Sequence, residues 1–431
     1  MANGQYEDQK RPLTVSKKKI EKAARSIRHG VTGDLRLEAI EKIQNFREFH
    51  LYPLMLMKNH LARTAKKVSP QVIVARRLKR LPTIINKLER STLDGETNNA
   101  IKLVRMQDIA GCRAIVKNKL ELYELKKKLE NSKSIHQIVR TTNYLDRPKD
   151  SGYGGLHLVY SCYEGKKAEH PWKGTNVEVQ LRTTLQHAWA TSLEIIDTLE
   201  DIELKTSITG SLEWRQFFKI AGLLVAHEEE LCLLEKKEHE AVIEEFVTLH
   251  NKLDVSNKLN KYNIAISASS KQSIRSNPKN NKDLVLVRMI KSSRKDNKYF
   301  VSLDYFKRNQ TDAALNELNK SELEDQYDMS VLVSTEGVRS LKKAYPNYFG
   351  STFQFTNFIS RQLSLHILHL RLHIETALKS LMQRESEHGL NKKEVELKET
   401  LTTVLKGNDV YLAEANEVLF KTNLNFTLLK L

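Results

Sequence analysis

Apolar positions recur at three- and four-residue spacing over residues 36–68 and again over 71–90, which predicts two amphipathic helices. Val72, Val74, Leu78, Leu81, Ile84, Ile85 and Leu88 mark the buried stripe of the second, and the polar turn S-T-L-D-G-E-T-N-N (91–99) closes it. The period then shortens. Cys112–Val116, Ile135–Thr141, Leu156–Tyr163 and the strictly alternating Val177–Leu181 read as strands, with a charged helix at Lys119–Glu130 and another at Leu185–Leu199. Strands alternating with helices predict an α/β (α+β) domain with a mixed sheet over about 71–200. Beyond it, 212–253 reads as one long charged helix and 263–283 as a Ser/Asn/Lys-rich linker. Leu284–Ile290, Tyr299–Tyr305 and Met329–Val333 then supply a second set of strands, followed by helix to the end. The expected organisation is a helical region (1–70), the sheet domain (71–200), a helix and linker (201–283), a separate C-terminal α+β module (284–360) and a helical tail (361–431).

Composition narrows the class. Hydrophobic residues make up 40% of the 431 and charged residues 29%, enough apolar side chain for a sizeable core and against wholesale disorder. Three scattered cysteines argue against a disulfide framework, and no apolar run reaches membrane-spanning length, so a soluble cytoplasmic protein with no membrane partner is expected. The charge is uneven. Residues 1–90 carry 21 Lys and Arg against 8 Asp and Glu, a net of +13, leaving +4 of the total +17 to the other 341 residues. A cationic front of this kind attracts polyanions, although a solvated helical surface accounts for it as well.

Four clusters between residues 76 and 194 carry candidate chemistry. R-R-L-K-R (76–80) with Lys87 distributes cations along the expected helix, which suits a polyphosphate. In R-M-Q-D-I-A-G-C-R (105–113), Asp108 stands before a strand edge, where a carboxylate can bind a metal, and Arg113 starts the strand. N-Y-L-D-R-P-K-D-S-G-Y-G-G-L-H (143–157) sets Lys149 for a phosphate and Tyr153 for a base to stack upon, among glycines that let a ligand approach. In V-E-V-Q-L-R-T-T-L-Q-H-A-W-A (177–190), alternation puts Glu178, Gln180 and Arg182 on one face. A polar row in a sheet is costly unless it meets a cleft or solvent. Taken singly, the plainer readings are a solvated helix face, a turn cap and a packed aromatic.

In this order, D-I-A-G-C-R, Y-L-x-x-P-K-x-S-G-Y-x-x-L-H, V-E-V-Q-L-R-T and Q-H-A-W-A resemble the RelA/SpoT nucleotidyl (pyrophosphokinase) domain over about residues 71–197. R-L-K-R-L-P-T-I-I-N-K-L (77–88) is similar to its ATP-binding helix. The resemblance implies a nucleotidyltransferase-like synthetase fold that moves the β,γ-pyrophosphate of ATP to a ribose 3′-hydroxyl with Mg²⁺. Carried over by position, it implies catalytic and metal-binding roles for Asp108 and Glu178. ATP contacts would come from Arg77, Lys79, Lys87 and Arg113, and acceptor contacts from Lys149, Tyr153, His157, Gln180 and Arg182. Gly154 and Gly155 stand where guanosine-nucleotide synthetases carry Arg or Gln and then Ser, and Glu194 stands only near their usual Glu-His pair. The acceptor side is thus where this chain departs from the family.

L-K-K-A-Y-P-N-Y-F-G-S-T-F-Q-F (341–355), after the second β-segment, resembles the regulatory region of toxic small alarmone synthetases fused to their own antitoxin, the CapRel group. That likeness implies tRNA 3′-CCA ends as acceptor, inhibition of translation and a phage protein as trigger. The alternatives are a GDP/GTP pyrophosphokinase making alarmone and a non-catalytic RNA- or nucleotide-binding regulator. Tyr345 and Phe349 lie either on a clamp surface or in that module's core. His366, His369 and His373 share helical spacing, but with no acidic or thiolate partner nearby in sequence a helix face is expected rather than zinc.

Overall fold

The computed structural model describes residues 4–89, 102–145, 152–165, 169–199, 212–260, 284–292, 298–307, 310–324, 326–327, 329–334 and 352–406. Three helices come first: α1 (Lys17–Arg28), α2 (Gly33–Phe49) and α3 (Leu51–Lys66). The single helix expected over 36–68 is two. Pro53, in the first turn of α3, cannot continue the hydrogen bonding of a preceding helix, and the chain breaks at His50.

The segment 71–80 corrects the sequence reading more sharply. Ile73–Leu78 is a strand, β1, and helix α4 starts only at Leu81–Glu89, so Arg76 and Arg77 lie in a sheet and Lys79 and Arg80 in the turn leaving it. The β-branched run Val72-Ile73-Val74 favours strand, and Pro82, lacking a donor, is tolerated in a helix's first turn. The helical spacing of Leu78, Leu81, Ile84, Ile85 and Leu88 belongs to α4 and its approach.

Then follow β2 (Ala110–Val116), α5 (Lys119–Glu130), β3 (Gln137–Asn143), β4 (Leu156–Ser161), β5 (Asn176–Thr183) and α6 (Thr184–Leu199). The helix expected over 212–253 is a pair, α7 (Leu212–Glu228) and α8 (Lys236–Leu253). Next come β6 (Leu284–Ser292), β7 (Lys298–Phe306), α9 (Thr311–Leu323), β8 (Met329–Ser334), α10 (Phe353–His388) and α11 (Lys392–Lys406).

Among the described residues eight strands form one sheet, in the order β3-β4-β5-β2-β1-β8-β6-β7. Of the pairings among the described residues only β2–β5 is parallel, so the sheet is mixed and the fold is α/β as expected. The second β-segment is not a separate module: β8 runs antiparallel to β1, with Arg76 opposite Ser334 and Arg77 opposite Val333. Without β8, β1 would be an open edge of unpaired backbone groups.

Two apolar layers sandwich the sheet. One face packs Cys112, Ala114, Leu158, Val179, Leu181 and Leu286 against α3, α5 and α9. The other packs Ala75, Ile115, Val285, Val287 and Leu303 against α6, α7, α8 and α10. A third cluster ties α1, α2 and α4 to Leu103, Met106 and Ile109, beside the entry to β2. Among the described residues no helix is long and apolar enough to cross a membrane.

Candidate active site

Strand pairing puts the chemistry of the sequence on one face. Arg77, Gly111, Glu178 and Val159 stand opposite one another across β1, β2, β5 and β4; Ala75, Arg113, Gln180 and His157 make the next row. Paired residues on neighbouring strands point the same way. Gly111 has no side chain, which leaves a gap between Arg77 and Glu178, and Asp108 lies just before it at the start of β2.

Asp108 holds two ammonium groups. Lys79 Nζ donates to Oδ2 at 2.8 Å, and Lys87 Nζ, from the last turn of α4, lies 3.3 Å from both carboxylate oxygens. Burial pushes the Asp108 carboxyl up, but the two lysines outweigh it and hold the group below the ordinary carboxylate range. The Lys79 ammonium shifts down, chiefly by burial, with Asp108 opposing. The backbone N–H of Lys79 donates to the Ile109 carbonyl at 2.8 Å, which locks the turn against Asp108.

Glu178 anchors a second network. His157 Nδ1 lies 2.8 Å from Oε1, and Gln180 Nε2 donates to Oε2 at 2.8 Å. On the far side of the imidazole, Nε2 lies 2.6 Å from the Tyr153 hydroxyl, which accepts from Arg182 Nη2 at 2.9 Å and Nε at 3.2 Å. With a neutral imidazole the polarity runs one way: the guanidinium donates to the phenol, the phenol to Nε2, and Nδ1–H to the carboxylate. Burial raises the Glu178 carboxyl, but the bonds from His157 and Gln180 outweigh it, and its pKa is lowered even though the Asp108 charge acts on it from nearby. Both carboxylates are therefore ionised at neutral pH.

Tyr153 is held rather than free. Its ring meets Tyr144 and His157 edge-on, at 5.8 and 5.5 Å between centroids, and the Arg182 guanidinium lies 5.1 Å over it. The loop carrying it is pressed onto α7 so closely that a Cβ on Gly222 would stand 2.0 Å from the Gly152 carbonyl oxygen. Behind the site, Thr183 and Gln186 cap α6 reciprocally: Gln186 N–H donates to Thr183 Oγ1 and Thr183 N–H to Gln186 Oε1, each at 3.1 Å. The T-x-x-Q pattern of that box is visible in the sequence.

Of the expected site residues, the fold joins Lys79, Lys87 and Asp108 in one cluster and Tyr153, His157, Glu178, Gln180 and Arg182 in another, with Arg77 and Arg113 on the same face. Lys149, Tyr345 and Phe349 lie outside the described residues. Tyr144 and Gly222 were missed; Tyr144 sits in the same motif as Tyr153, whereas Gly222 carries no local signal. Two ionised carboxylates are a hard-oxygen donor set that suits Mg²⁺, which takes one or two carboxylates and fills its other positions with water and substrate phosphate. In α10, the His369 and His373 rings lie 4.2 Å apart at a tilt of 53°, and α8 brings Glu240 to 3.8 Å from His369, an acidic neighbour the sequence order hid. Among the described residues no group of three or more side chains is arranged to hold a metal.

Residues 76–195 match the family described as the region found in RelA / SpoT proteins. Over 124 residues, 27% of this chain, the sequence is 32% identical to GTP pyrophosphokinase YwaC of Bacillus subtilis (strain 168); the match spans 53% of that protein, about half its length. Among solved structures, the chain is similar to small alarmone synthetase 1 of Bacillus subtilis bound to its product pppGpp (22% identity, 41% of this chain and 88% of that one, TM-score 0.33). It is also similar to small alarmone synthetase 2 of the same organism (20% identity, 43% and 94%, TM-score 0.35). A GTP pyrophosphokinase family protein of Streptococcus pneumoniae gives 20% identity, 43% and 89%, and a TM-score of 0.34.

Proposed function

We propose that this chain transfers the β,γ-pyrophosphate of ATP to a ribose 3′-hydroxyl. The observation that carries the reading is a pair of ionised carboxylates near enough for one charge to act on the other, Asp108 bracketed by Lys79 and Lys87 and Glu178 bracketed by His157 and Gln180. Phosphoryl-type transfer asks chiefly for positioning and charge neutralisation. Lys79, Lys87 and Arg77 hold the triphosphate; Glu178 takes the hydroxyl proton as the 3′-oxygen bonds to Pβ and the bond from Pβ to the bridging α-oxygen breaks, releasing AMP. Mg²⁺, held by Asp108 and Glu178, supplies charge neutralisation on the triphosphate when bound. Tyr153, released from Arg182, offers its ring to the acceptor base, and Arg113, Lys149 and His157 complete the phosphate and acceptor contacts.

For the acceptor, the reading favoured here is the 3′ end of tRNA. Every exposed residue of α1 is basic (Lys17, Lys18, Lys19, Lys22 and Arg25), and α1 packs on α4 and the 103–105 turn that precedes Asp108. Such a surface suits a polyanion longer than a nucleotide. The similarity to a GTP pyrophosphokinase favours a second reading, GDP or GTP as acceptor and an alarmone as product. The resemblance at 341–355 supports a regulatory role for 284–360 in antiphage defence, with a phage protein as trigger, checked by restoring transfer with purified candidate phage proteins.

The deciding experiment incubates the full chain and Mg²⁺ with γ-labelled ATP and either tRNA or GDP/GTP. Label on tRNA supports the first acceptor and label on the guanine nucleotide the second. Asp108→Asn and Glu178→Gln are expected to abolish transfer while the variants stay folded; transfer that survives both substitutions refutes the site.

A further inference from the structure

Helix α9 lies more than two hundred residues along the chain from the β1–α4 turn, yet its Glu322 ends on that turn. Glu322 and Arg47 of α2 form a bidentate ion pair, Nη1 to Oε2 at 2.9 Å and Nη2 to Oε1 at 3.2 Å, with both side chains only 2% exposed. Each partner also grips the turn's backbone. Glu322 Oε1 accepts from the N–H of Leu81, the first residue of α4, at 3.3 Å, and Arg47 Nε donates to the Lys79 carbonyl at 2.8 Å. Lys79 is thus held at both ends, its carbonyl by Arg47 and its ammonium by Asp108.

The contact around the pair is polar and matched. Gln44 Nε2 donates to Asn319 Oδ1 at 2.6 Å, Asn319 Nδ2 to Glu48 Oε1 at 3.2 Å, and Gln9 Nε2 to Thr311 Oγ1 at 2.6 Å. A buried ion pair is poor value as a stabiliser, because desolvating two charges offsets most of their attraction. What this one does well is fix direction: two planar groups share two directed bonds, and one more bond from each reaches the backbone of the turn, at Lys79 and at Leu81.

We propose that Arg47 and Glu322 are positioning residues: through them the unit built from α9 and β6–β8 sets the β1–α4 turn, and so the placement of Lys79 and Lys87 for the polyphosphate of the donor nucleotide. This rests on the donor-site reading above. Both side chains are buried away from any ligand that enters from solvent, and both lie outside the matched stretch 76–195. The donor half of the site is therefore completed from both sides of that stretch.

Removing one partner strands a buried charge and can unfold the protein, so the test replaces both. Arg47→Met with Glu322→Leu keeps side-chain volume without a buried charge, a class of exchange that folds are known to tolerate. In the full-length protein, thermal melting, KM for ATP and KM for the acceptor are measured beside competitive acylation of the Lys79 and Lys87 amines, read by peptide mass spectrometry without turnover. The folded double variant is expected to raise KM for ATP about tenfold, to leave acceptor KM within about twofold, and to acylate Lys79 several times faster. A folded double variant with wild-type KM for ATP and wild-type Lys79 acylation overturns the proposal. If wild-type protein transfers no pyrophosphate, the donor-site reading fails, and the acylation rates alone still decide whether the pair positions the turn.

Discussion

Gly222 in α7 offers a test of the acceptor loop that leaves every proposed catalytic group untouched. Replacing it with Ala favours the helix intrinsically by about 1 kcal/mol. The new methyl, however, would stand 2.0 Å from the Gly152 carbonyl oxygen, 2.6 Å from its carbon and 2.8 Å from its Cα. All three are backbone atoms, so no side-chain rotation relieves the contact. Restoring a separation of about 3.4 Å requires the loop to move about 1.4 Å away from α7. Gly152, at φ +79°, is itself pinned by the Lys219 and Phe218 carbonyls, each 2.6 Å from where a Cβ would be, so it cannot simply turn. Tyr153 is the next residue, and its hydroxyl bonds to His157 and Arg182 must shift with it. Misplacement by about an ångström costs about a hundredfold in rate, or about 3 kcal/mol. The expected result is that Gly222→Ala lowers kcat/KM for the acceptor by that order and lowers the melting temperature through overpacking, while KM for ATP holds. Acceptor kinetics within about twofold of wild type in a folded variant would refute the coupling of α7 to the acceptor loop.

Two further outcomes follow from burial. Glu229 accepts from Thr183 Oγ1 at 2.9 Å at the foot of the site, and burial, aided by Glu228 and opposed by Thr183, pushes its carboxyl up to about 7. Between the ordinary value of 4.5 and about 7, the folded state keeps a proton that the unfolded chain has released, so stability falls as pH rises through that window and levels off above it. Glu229→Gln, which can still accept from Thr183, is expected to be about 3 kcal/mol more stable than wild type above neutral pH and to match it in acid; parallel urea-melt stabilities across the window would contradict this. The Cys112 and Cys162 thiols are buried and pushed up to about 12 by burial, whereas Cys232 is half-exposed. Iodoacetamide near neutral pH should mark Cys232 alone in native protein and all three after denaturation, read by mass spectrometry.

Much of this protein is written locally. Strict alternation in V-E-V-Q-L-R is enough to put Glu178, Gln180 and Arg182 on one face, because side chains of a strand alternate whatever the strand pairs with. The helix Lys119–Glu130, found as expected, is equally local, and so is the capping box at Thr183 and Gln186. What tertiary structure alone decided are matters of pairing and distance. Residues 71–80 carry both a helical spacing of apolar side chains and a β-branched run, and strands on either side of β1, one of them from residue 329 onward, resolve that ambiguity. Asp108 gathering Lys79 and Lys87, Gly222 meeting Gly152, and Arg47 closing on Glu322 depend on elements far apart in the chain. No window of local sequence encodes such contacts, since they follow from how the sheet orders its strands and which helices then cover it.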